Sequence, residues 1–186
     1  MANVEAAFKN LHQDLLDECK VGDQKAQFQI YKLYYKAMYN TSLRIVNDSM
    51  EAEDIMQESF LAAFEKIDTY SGSVSFGAWL KKIVVNRSLD ALNKRKAVFE
   101  DIDSHTGIRD DSSDETARYE EMDIRVEEVK EAIERLPDGY RIILSLYLLE
   151  GYDHDEISEI LSINSSTSRS QLSRAKQKLI SELKGR

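Results

Sequence analysis

Apolar side chains recur every three or four residues along most of this 186-residue chain, which is the spacing of one helix face. Short segments rich in Gly, Asp, Asn and Ser interrupt the pattern. In the first half, these interruptions predict a short and a long helix within residues 11–46, then helices at 51–67 and 75–96. Asp23 follows Gly22 and is placed to cap the second helix.

The second half shows the same spacing with tighter turns. Pro137 and Gly139 end a helix that begins near residue 124, and Gly151 ends the next helix, at residues 140–149. With one proline and no convincing strand pair in the sequence, the chain is predicted to be all-α.

The last two helices form a recognisable motif. Asp153, with Glu156 three residues later, predicts a capping box that opens a short helix at 154–161. Residues 162–164 then turn the chain into a longer basic helix that ends near residue 183. A short helix, a tight turn and a longer basic helix are the helix-turn-helix pattern.

Two helices divide cleanly into opposite faces at 100° per residue. In the helix at 51–67 the predicted core face holds Met56, Phe60, Ala63 and Ile67, and the opposite face holds Asp54, Gln57, Glu58 and Glu65. In the last helix the core face holds Leu172, Ala175, Leu179 and Leu183, and the opposite face holds Ser166, Ser170, Arg174 and Gln177.

Charge is distributed unevenly along the chain. The segment 97–124 contains ten acidic and two basic residues, a net charge of −8, which is nearly the whole net charge of −9. Residues 81–96 and 163–186 each contain six basic residues and one acidic residue, a net charge of +5 each. Two separate basic patches indicate a polyanion bound at two points.

The helix at 75–96 presents groups suited to nucleic acid. Lys82, Asn86 and Asn93 share one face, and an asparagine amide can both donate to and accept from the edge of an unpaired base. Lys94, Arg95 and Lys96 could neutralise phosphates. Aromatic side chains could stack on bases. For Phe76 and Trp79, packing in the core is a better explanation than stacking on a base. For Tyr70, which lies in a loop, core packing and base stacking are evenly balanced.

The last helix also has groups that suit a major groove. Serines permit close approach and bond phosphates or base edges, and Arg174 could take guanine in a bidentate fashion. An ordinary solvated amphipathic helix would explain the same pattern, but the preceding short helix and turn favour DNA.

Enzyme chemistry finds little support in the sequence. His12, His105 and His154 lie in three different segments without metal-ligand spacing, and there is no glycine-rich phosphate loop. By spacing alone, Asp54, Gln57 and Glu58 are a solvated face, without a complementary acid or base for catalysis. We therefore expect no metal, no cofactor and no catalytic residue.

The single cysteine, Cys19, excludes a disulfide within the chain. The N-terminal residues lack the pattern of a signal peptide, and no apolar run approaches the roughly 20 residues that a membrane span needs. A cytoplasmic protein without membrane insertion is expected.

Several runs in the sequence resemble a known family. EDIMQESF at 53–60, FGAWLKKI at 76–83 with Asn86, and VGDQKA at 21–26 are similar to region 2 of bacterial sigma-70 factors, specifically the extracytoplasmic-function (ECF) group. Residues 136–137, 149–151, 155–157 and 173–175 resemble region 4. The resemblance therefore covers nearly the whole chain.

The resemblance implies an all-α fold of two small domains, a region 2 helical bundle at residues 1–96 and a region 4 helix-turn-helix at 124–186, joined by a flexible acidic linker at 97–123. It implies a factor that binds core RNA polymerase and directs promoter-specific initiation. Region 4 would recognise the −35 duplex and region 2 would melt the −10 element. The linker would lie in the RNA channel of the polymerase.

The resemblance also implies residue roles. Asp54, Gln57 and Glu58 match the positions that dock on the clamp helices of the polymerase β′ subunit, and Asn86 matches the position that captures a flipped −10 base. The full −10 set comprises Tyr70, Ser71, Gly72, Lys82, Asn86, Asn93, Lys94 and Arg95. The −35 contacts would be Ser166, Arg169, Ser170 and Arg174.

Two residues depart from the family pattern, both in the last motif. Ser162 stands where a turn glycine is usual, and a left-handed conformation there would cost about 1–2 kcal/mol. Ser168 stands where a branched apolar residue is usual, inside the Leu172 stripe. A less stable or slightly reoriented region 4 is expected.

The sequence also allows a second interpretation, a stand-alone helix-turn-helix regulator with a helical sensory N-terminal domain, which would bind duplex DNA tightly without polymerase. Whether an anti-sigma protein is a further partner is left open by the sequence.

Overall fold

The structure is a computed structural model that describes residues 12–100 and 126–184, with the side chains of 96–100 left out. Over these ranges the chain forms helices and turns without any strand, which confirms the predicted all-α class. Contacts divide the chain into two compact units, Met1–Leu92 and Asn93–Arg186. The predicted linker lies outside the described residues except at its first four positions, so the three-part division stays a prediction.

The first unit contains four α-helices among its described residues, close to the predicted bounds. They are α1 (Gln13–Lys20), α2 (Gln24–Val46), α3 (Ser49–Glu65) and α4 (Phe76–Glu100), which begins in this unit and continues past its last residue, Leu92. A 3₁₀ turn at Ile67–Thr69 follows α3. Helix α4 continues four residues beyond its predicted end, to Glu100, the first acidic residue after the basic run.

Short polar side chains set the helix ends in this unit. The Asp23 carboxylate accepts a hydrogen bond from the Ala26 N–H at 2.8 Å, and the Asp48 carboxylate accepts one from the Glu51 N–H at 2.9 Å. Asn47 ends α2 in the left-handed conformation, with φ of 55°. These contacts satisfy backbone N–H groups that a helix start leaves unpaired, which is why the breaks could be read from sequence.

The core of the first unit draws on all four helices. Met56, Phe60, Ala63 and Ile67 are buried, as the helical wheel predicted. Rings from α2 and α3 meet where Tyr31 and Phe60 lie 5.0 Å apart between centroids. A buried hydrogen bond of 2.9 Å joins Ser42 of α2 to Ser88 of α4. The outward faces of α3 and α4 are fixed by this packing.

The second unit contains the helices α5 (Val126–Arg135), α6 (Asp138–Leu144), α7 (His154–Leu161) and α8 (Ser165–Lys184). Helix α6 begins two residues earlier than predicted, because Pro137 disfavours helical conformation in the residue before it and does not interrupt the helix after it. It continues into a π-helical turn at Ser145–Leu149, in which the Glu150 N–H bonds the Ser145 carbonyl at 2.9 Å.

A buried arginine fixes the turn between α5 and α6. The Arg141 side chain is 3% exposed, and its guanidinium lies 2.8 Å from the Asp138 carboxylate. It also donates to the Leu136 carbonyl at 3.3 Å. A buried guanidinium needs such partners, because leaving it unpaired costs about 3–5 kcal/mol.

The first helix of the helix-turn-helix begins with the predicted capping box. Asp153 accepts from the N–H of Asp155 and Glu156, and the Glu156 carboxylate accepts from the Asp153 N–H, so the capping box is confirmed. Ser162 adopts the left-handed conformation, with φ of 54°, at the turn where glycine is usual. Asn164 then caps α8 by accepting from the Thr167 N–H at 2.7 Å.

We predict that Ser162→Gly raises the unfolding free energy of the second unit by about 0.5–1 kcal/mol, because glycine occupies positive φ without the penalty of a Cβ atom. Hydrogen exchange of the α7 and α8 amides measures the change. Ser173→Gly is the matched control: this exposed position within α8 is helical, and glycine there should lower the same free energy by about as much. Lower amide protection in Ser162→Gly would contradict the prediction.

Candidate functional site

The exposed face of α3 carries the acidic and amide groups singled out in the sequence. Asp54, Gln57 and Glu58 are all exposed at i, i+3 and i+4. The Gln57 amide donates to the Glu53 carboxylate at 3.3 Å. Leu61 continues the same face and is 65% exposed, a feature that the sequence analysis missed although its helical position signals it. The face is therefore acidic with an apolar end.

One ion pair connects this face to α4. The Arg87 guanidinium lies 3.0 Å from the Glu58 carboxylate, and the two side chains are 39% and 65% exposed. An ion pair this accessible to solvent contributes about 0–1 kcal/mol. It is therefore weak enough for Glu58 to change partners without loss of the fold.

The outward face of α4 brings together the polar groups that the spacing predicted. Lys82, Asn86 and Asn93 are exposed, and so is Lys94, whereas Arg95 is half-buried. Asp90 is exposed on the same row, four residues after Asn86, and was not recognised as part of this face. Its charge makes the middle of the face less basic than its ends.

The loop before α4 is built around Tyr70. This side chain is only 7% exposed, and its hydroxyl donates to the Val74 carbonyl at 2.7 Å. Its ring lies 5.6 Å from the Phe76 ring and 5.4 Å from the Trp79 ring. Stacking of Tyr70 on a base, one of the two roles left open by the sequence, does not fit this buried placement. Phe76 is buried and Trp79 packs against the core, as predicted.

The rest of the loop is open to solvent. Ser71 is exposed and its hydroxyl lies 3.0 Å from that of Ser73. Between them Gly72 has φ of 76°, a conformation that favours glycine. Because Tyr70 is held in the core, the segment from Ser71 to Ser73 has a defined position beside the start of α4.

A close contact explains the glycine in the first turn of α4. A Cβ atom at Gly77 would lie 3.0 Å from a ring carbon of Tyr34 on α2. Tyr34 also meets Phe76 at 5.6 Å between ring centroids. Burial raises the pKa of the Tyr34 hydroxyl, with a smaller effect from Tyr70. The start of α4 is thus packed directly on α2.

The exposed face of α8 lies opposite its buried stripe. Leu172, Ala175 and Leu179 are buried as predicted, and the opposite residues Ser166, Arg169, Ser170 and Arg174 are exposed. Two of these hydroxyls donate to nearby groups: Ser166 to the side-chain oxygen of the cap residue Asn164 at 2.6 Å, and Ser170 to the Thr167 carbonyl within the helix at 3.0 Å. In this arrangement they offer lone pairs that can accept from base amino groups.

Ser168 is fully buried within the apolar stripe and has a polar partner there. Its hydroxyl lies 2.9 Å from Nδ1 of His154, the first residue of α7. The His154 ring stacks on the Tyr147 ring, with 4.9 Å between the two ring centres. The Lys176 ammonium lies 5.5 Å from the centre of the Tyr147 ring. The sequence analysis identified Ser168 as unusual but missed His154 as its partner. Because a buried hydroxyl needs a hydrogen-bond partner, a serine within the apolar stripe already predicts that such a partner exists.

Other chemistry finds no support in residues 12–95 and 126–184. No cluster of three or more His, Cys, Asp or Glu side chains there could hold a metal ion. Cys19 is buried, and burial, with smaller effects of Asp23 and Glu18, raises the pKa of its thiol to about 11. None of the helices described is long and apolar enough to cross a membrane.

Comparison with known families matches both units. Residues 30–98 match the family described as "Sigma-70 region 2", and residues 126–179 match "Sigma-70, region 4". The ECF sigma factor SigM of Bacillus subtilis is 30% identical over 152 residues, which cover 81% of this chain and 91% of SigM. SigW of the same organism is 28% identical, over 91% of this chain and 95% of SigW.

Solved structures share the fold. The sigma factor RpoE of Bartonella quintana, in complex with the anti-sigma factor NepR, has a TM-score of 0.58 at 24% identity, over 84% of this chain and 95% of RpoE. CnrH, in complex with the cytosolic domain of CnrY, has a TM-score of 0.57 at 20% identity, over 94% of this chain and 97% of CnrH.

We predict that Tyr70→Phe lowers the unfolding free energy of the first unit by about 0.5–1.5 kcal/mol, because it removes the hydrogen bond to the Val74 carbonyl and keeps the ring packing. Fluorescence of Trp79, the only tryptophan, reports denaturant unfolding beside this site. Tyr39→Phe, at a half-buried α2 tyrosine outside the loop, is the matched control. Equal stability of Tyr70→Phe and the parent chain would show that the hydroxyl does not hold the loop.

Proposed function

The chain belongs to the extracytoplasmic-function group of the sigma-70 family, whose members are transcription initiation factors rather than catalytic enzymes, and from this premise we propose how its two units share the work of initiation. The first unit docks on core RNA polymerase and opens the −10 element, and the second unit binds the −35 duplex. The observation that carries the proposal is the presence of one exposed polar helix face suited to DNA in each unit, α4 in the first and α8 in the second. Catalysis of nucleotidyl transfer is left to the polymerase.

Docking on the polymerase is assigned to α3. Asp54, Gln57 and Glu58 present carboxylates and an amide to solvent on one face, and Leu61 adds an apolar end. Charged and amide groups give such a contact its orientation, and the apolar side chain loses water on binding. The β′ clamp helices are the proposed partner surface. Glu58 would exchange Arg87 for a group on the polymerase.

Opening of the −10 element is assigned to the face of α4 and the loop before it. Asn86, between Lys82 and Asn93, would accept a base flipped out of the duplex, which requires only contacts that offset a few kcal/mol of unstacking. Ser71, which is exposed, and Gly72, which is half-buried, lie in the loop before the same helix. Lys94 and Arg95 near its other end would contact phosphates. Tyr70 is proposed as the buried support of the loop rather than as a base contact.

Binding of the −35 duplex is assigned to α8, the second helix of the helix-turn-helix. Arg169 and Arg174 supply cationic donors for phosphates or guanine edges, and Ser166 and Ser170 are short enough to let the helix approach the groove. The helix lies in a run with a net charge of +5, so binding should weaken steeply with added salt.

The acidic segment at 97–123 is proposed to bind the polymerase and not DNA. Its net charge of −8 is repelled by DNA, and the basic RNA channel of the polymerase is its proposed binding place. We further propose that the protein works in the cytoplasm and that an anti-sigma protein can occupy the polymerase- and DNA-binding faces, since the similar RpoE fold was solved in complex with one.

Run-off transcription with purified core polymerase on a library of upstream regions tests the proposal. We expect transcripts that start at a defined subset of these regions and that depend on the added protein. Specific binding of the protein alone to duplex DNA, without any promoter-specific transcript, would instead support a stand-alone helix-turn-helix regulator.

We predict that Asn86→Ala reduces promoter opening about fivefold or more, because a base-edge contact of this kind contributes about 1–3 kcal/mol. Permanganate reactivity of unpaired thymines in the −10 element measures opening, and polymerase binding should remain unchanged. Asn40→Ala, at an exposed asparagine on α2, is the matched control, and Asp54→Ala should show the opposite pattern of weakened polymerase binding. Unchanged melting in Asn86→Ala would remove Asn86 from the site.

A further inference from the structure

We propose that His154 is a positioning residue for −35 recognition: its hydrogen bond to the buried Ser168 fixes the rotation of α8 about its own axis and so determines which side chains meet the base edges. The inference rests on the proposed function of α8. It concerns two residues that lie on the inner side of the helix-turn-helix, away from the face assigned to DNA.

The first step is the burial of Ser168. The side chain is 0% exposed and lies in line with Leu172, Ala175 and Leu179 on the core side of α8. A buried hydroxyl is tolerated only when it is hydrogen-bonded. Its oxygen lies 2.9 Å from Nδ1 of His154, so the contact joins α8 to α7 across 14 residues of sequence.

The second step is the fixed position of His154. It follows Asp153 directly and opens α7, where the capping box holds the backbone on both sides. Its ring is stacked on Tyr147, with 4.9 Å between centroids and planes inclined by 28°. The Lys176 ammonium of α8 lies 5.5 Å from the centre of the same tyrosine ring. The His154 imidazole is therefore held by the backbone of the capping box and by the Tyr147 ring. Its Nδ1 atom has a fixed position for the hydrogen bond to Ser168.

The third step is the geometry of α8. At about 100° per residue, Ser166, Ser170 and Arg174 project at about 160–240° from Ser168, on the opposite side of the helix axis. The apolar stripe alone holds the helix through contacts that have no preferred direction. A hydrogen bond has a preferred distance and angle, so it restricts rotation that apolar contacts would allow. Turning the inner face turns the outer face by the same angle.

The distinguishing variant is Ser168→Ala. It keeps a small side chain in the apolar stripe and removes only the hydroxyl, and the half-buried His154 ring can then bond water. Stability should therefore change little, because water can replace the lost partner of His154 and the net contribution of one hydrogen bond is small. Discrimination between −35 sequences should fall. Ser181→Ala, at an exposed serine near the end of the same helix, is the matched control.

The measurement is competitive run-off transcription by the full chain with core polymerase. Templates share one −10 element and carry either the preferred −35 element or single-base changes in it. In Ser168→Ala and His154→Ala the preference for the intact −35 element should fall by about threefold to tenfold, the range expected for one net hydrogen bond. The double variant should lose no more than the larger single loss, because both changes remove the same contact.

A spectroscopic measurement tests the contact itself, without polymerase. Long-range proton–nitrogen spectra of the full chain should show a shift of the His154 Nδ1 signal in Ser168→Ala and none in Ser181→Ala. The His154→Ala spectrum identifies this signal among those of the three histidines.

The outcomes separate the possible failures. An equal loss of transcription from all templates, with unchanged preference, would make the contact merely structural and would overturn the inference, as would an unshifted Nδ1 signal in Ser168→Ala. Absence of any promoter-specific transcript from the parent chain would instead contradict the proposed function. A reduced preference together with a shifted signal would support the inference.

Discussion

The structure depends on one geometric constraint: the helical period fixes the direction of every side chain, so the buried face and the exposed face of a helix cannot vary independently. The side chains buried by a helix determine which side chains it presents on the opposite side, because both follow the same 100° step. In α3, burial of Met56 and Phe60 leaves Asp54 and Glu58 in solvent, and in α8, burial of Leu172 and Ala175 leaves Arg174 there. Selection for a stable core and selection for a binding surface therefore act on one geometric arrangement.

Local chemistry explains why much of the fold could be predicted from sequence. Asp23, Asp48 and Asp153 lie at helix starts and accept from backbone N–H groups two or three residues later. The aspartate and the N–H group that it accepts from lie within the same few residues, so the start of the helix can be predicted without knowledge of the tertiary fold. Ser162 was instead recognised through the resemblance to the family, and the structure gives it the left-handed conformation of a turn glycine.

The features that could not be predicted depend on distant contacts. The ion pair between Glu58 and Arg87 spans 29 residues, and the bond between His154 and Ser168 spans 14. Charge and helical position give the type of each group but not its partner. Tyr70 illustrates the same difficulty at short range: its place in a loop left base stacking and core packing equally open, and contacts with Phe76 and Trp79 of the next helix place the ring in the core.

The buried thiol of Cys19 has a practical consequence for labelling. Burial raises the pKa of this thiol to about 11, so at pH 7 it stays protonated, and only the thiolate reacts with electrophiles. A cysteine introduced at an exposed site has a pKa of about 8.5, so a much larger share of it is thiolate near neutral pH. Fluorophores can therefore be attached at chosen positions of either unit while the native thiol stays in place.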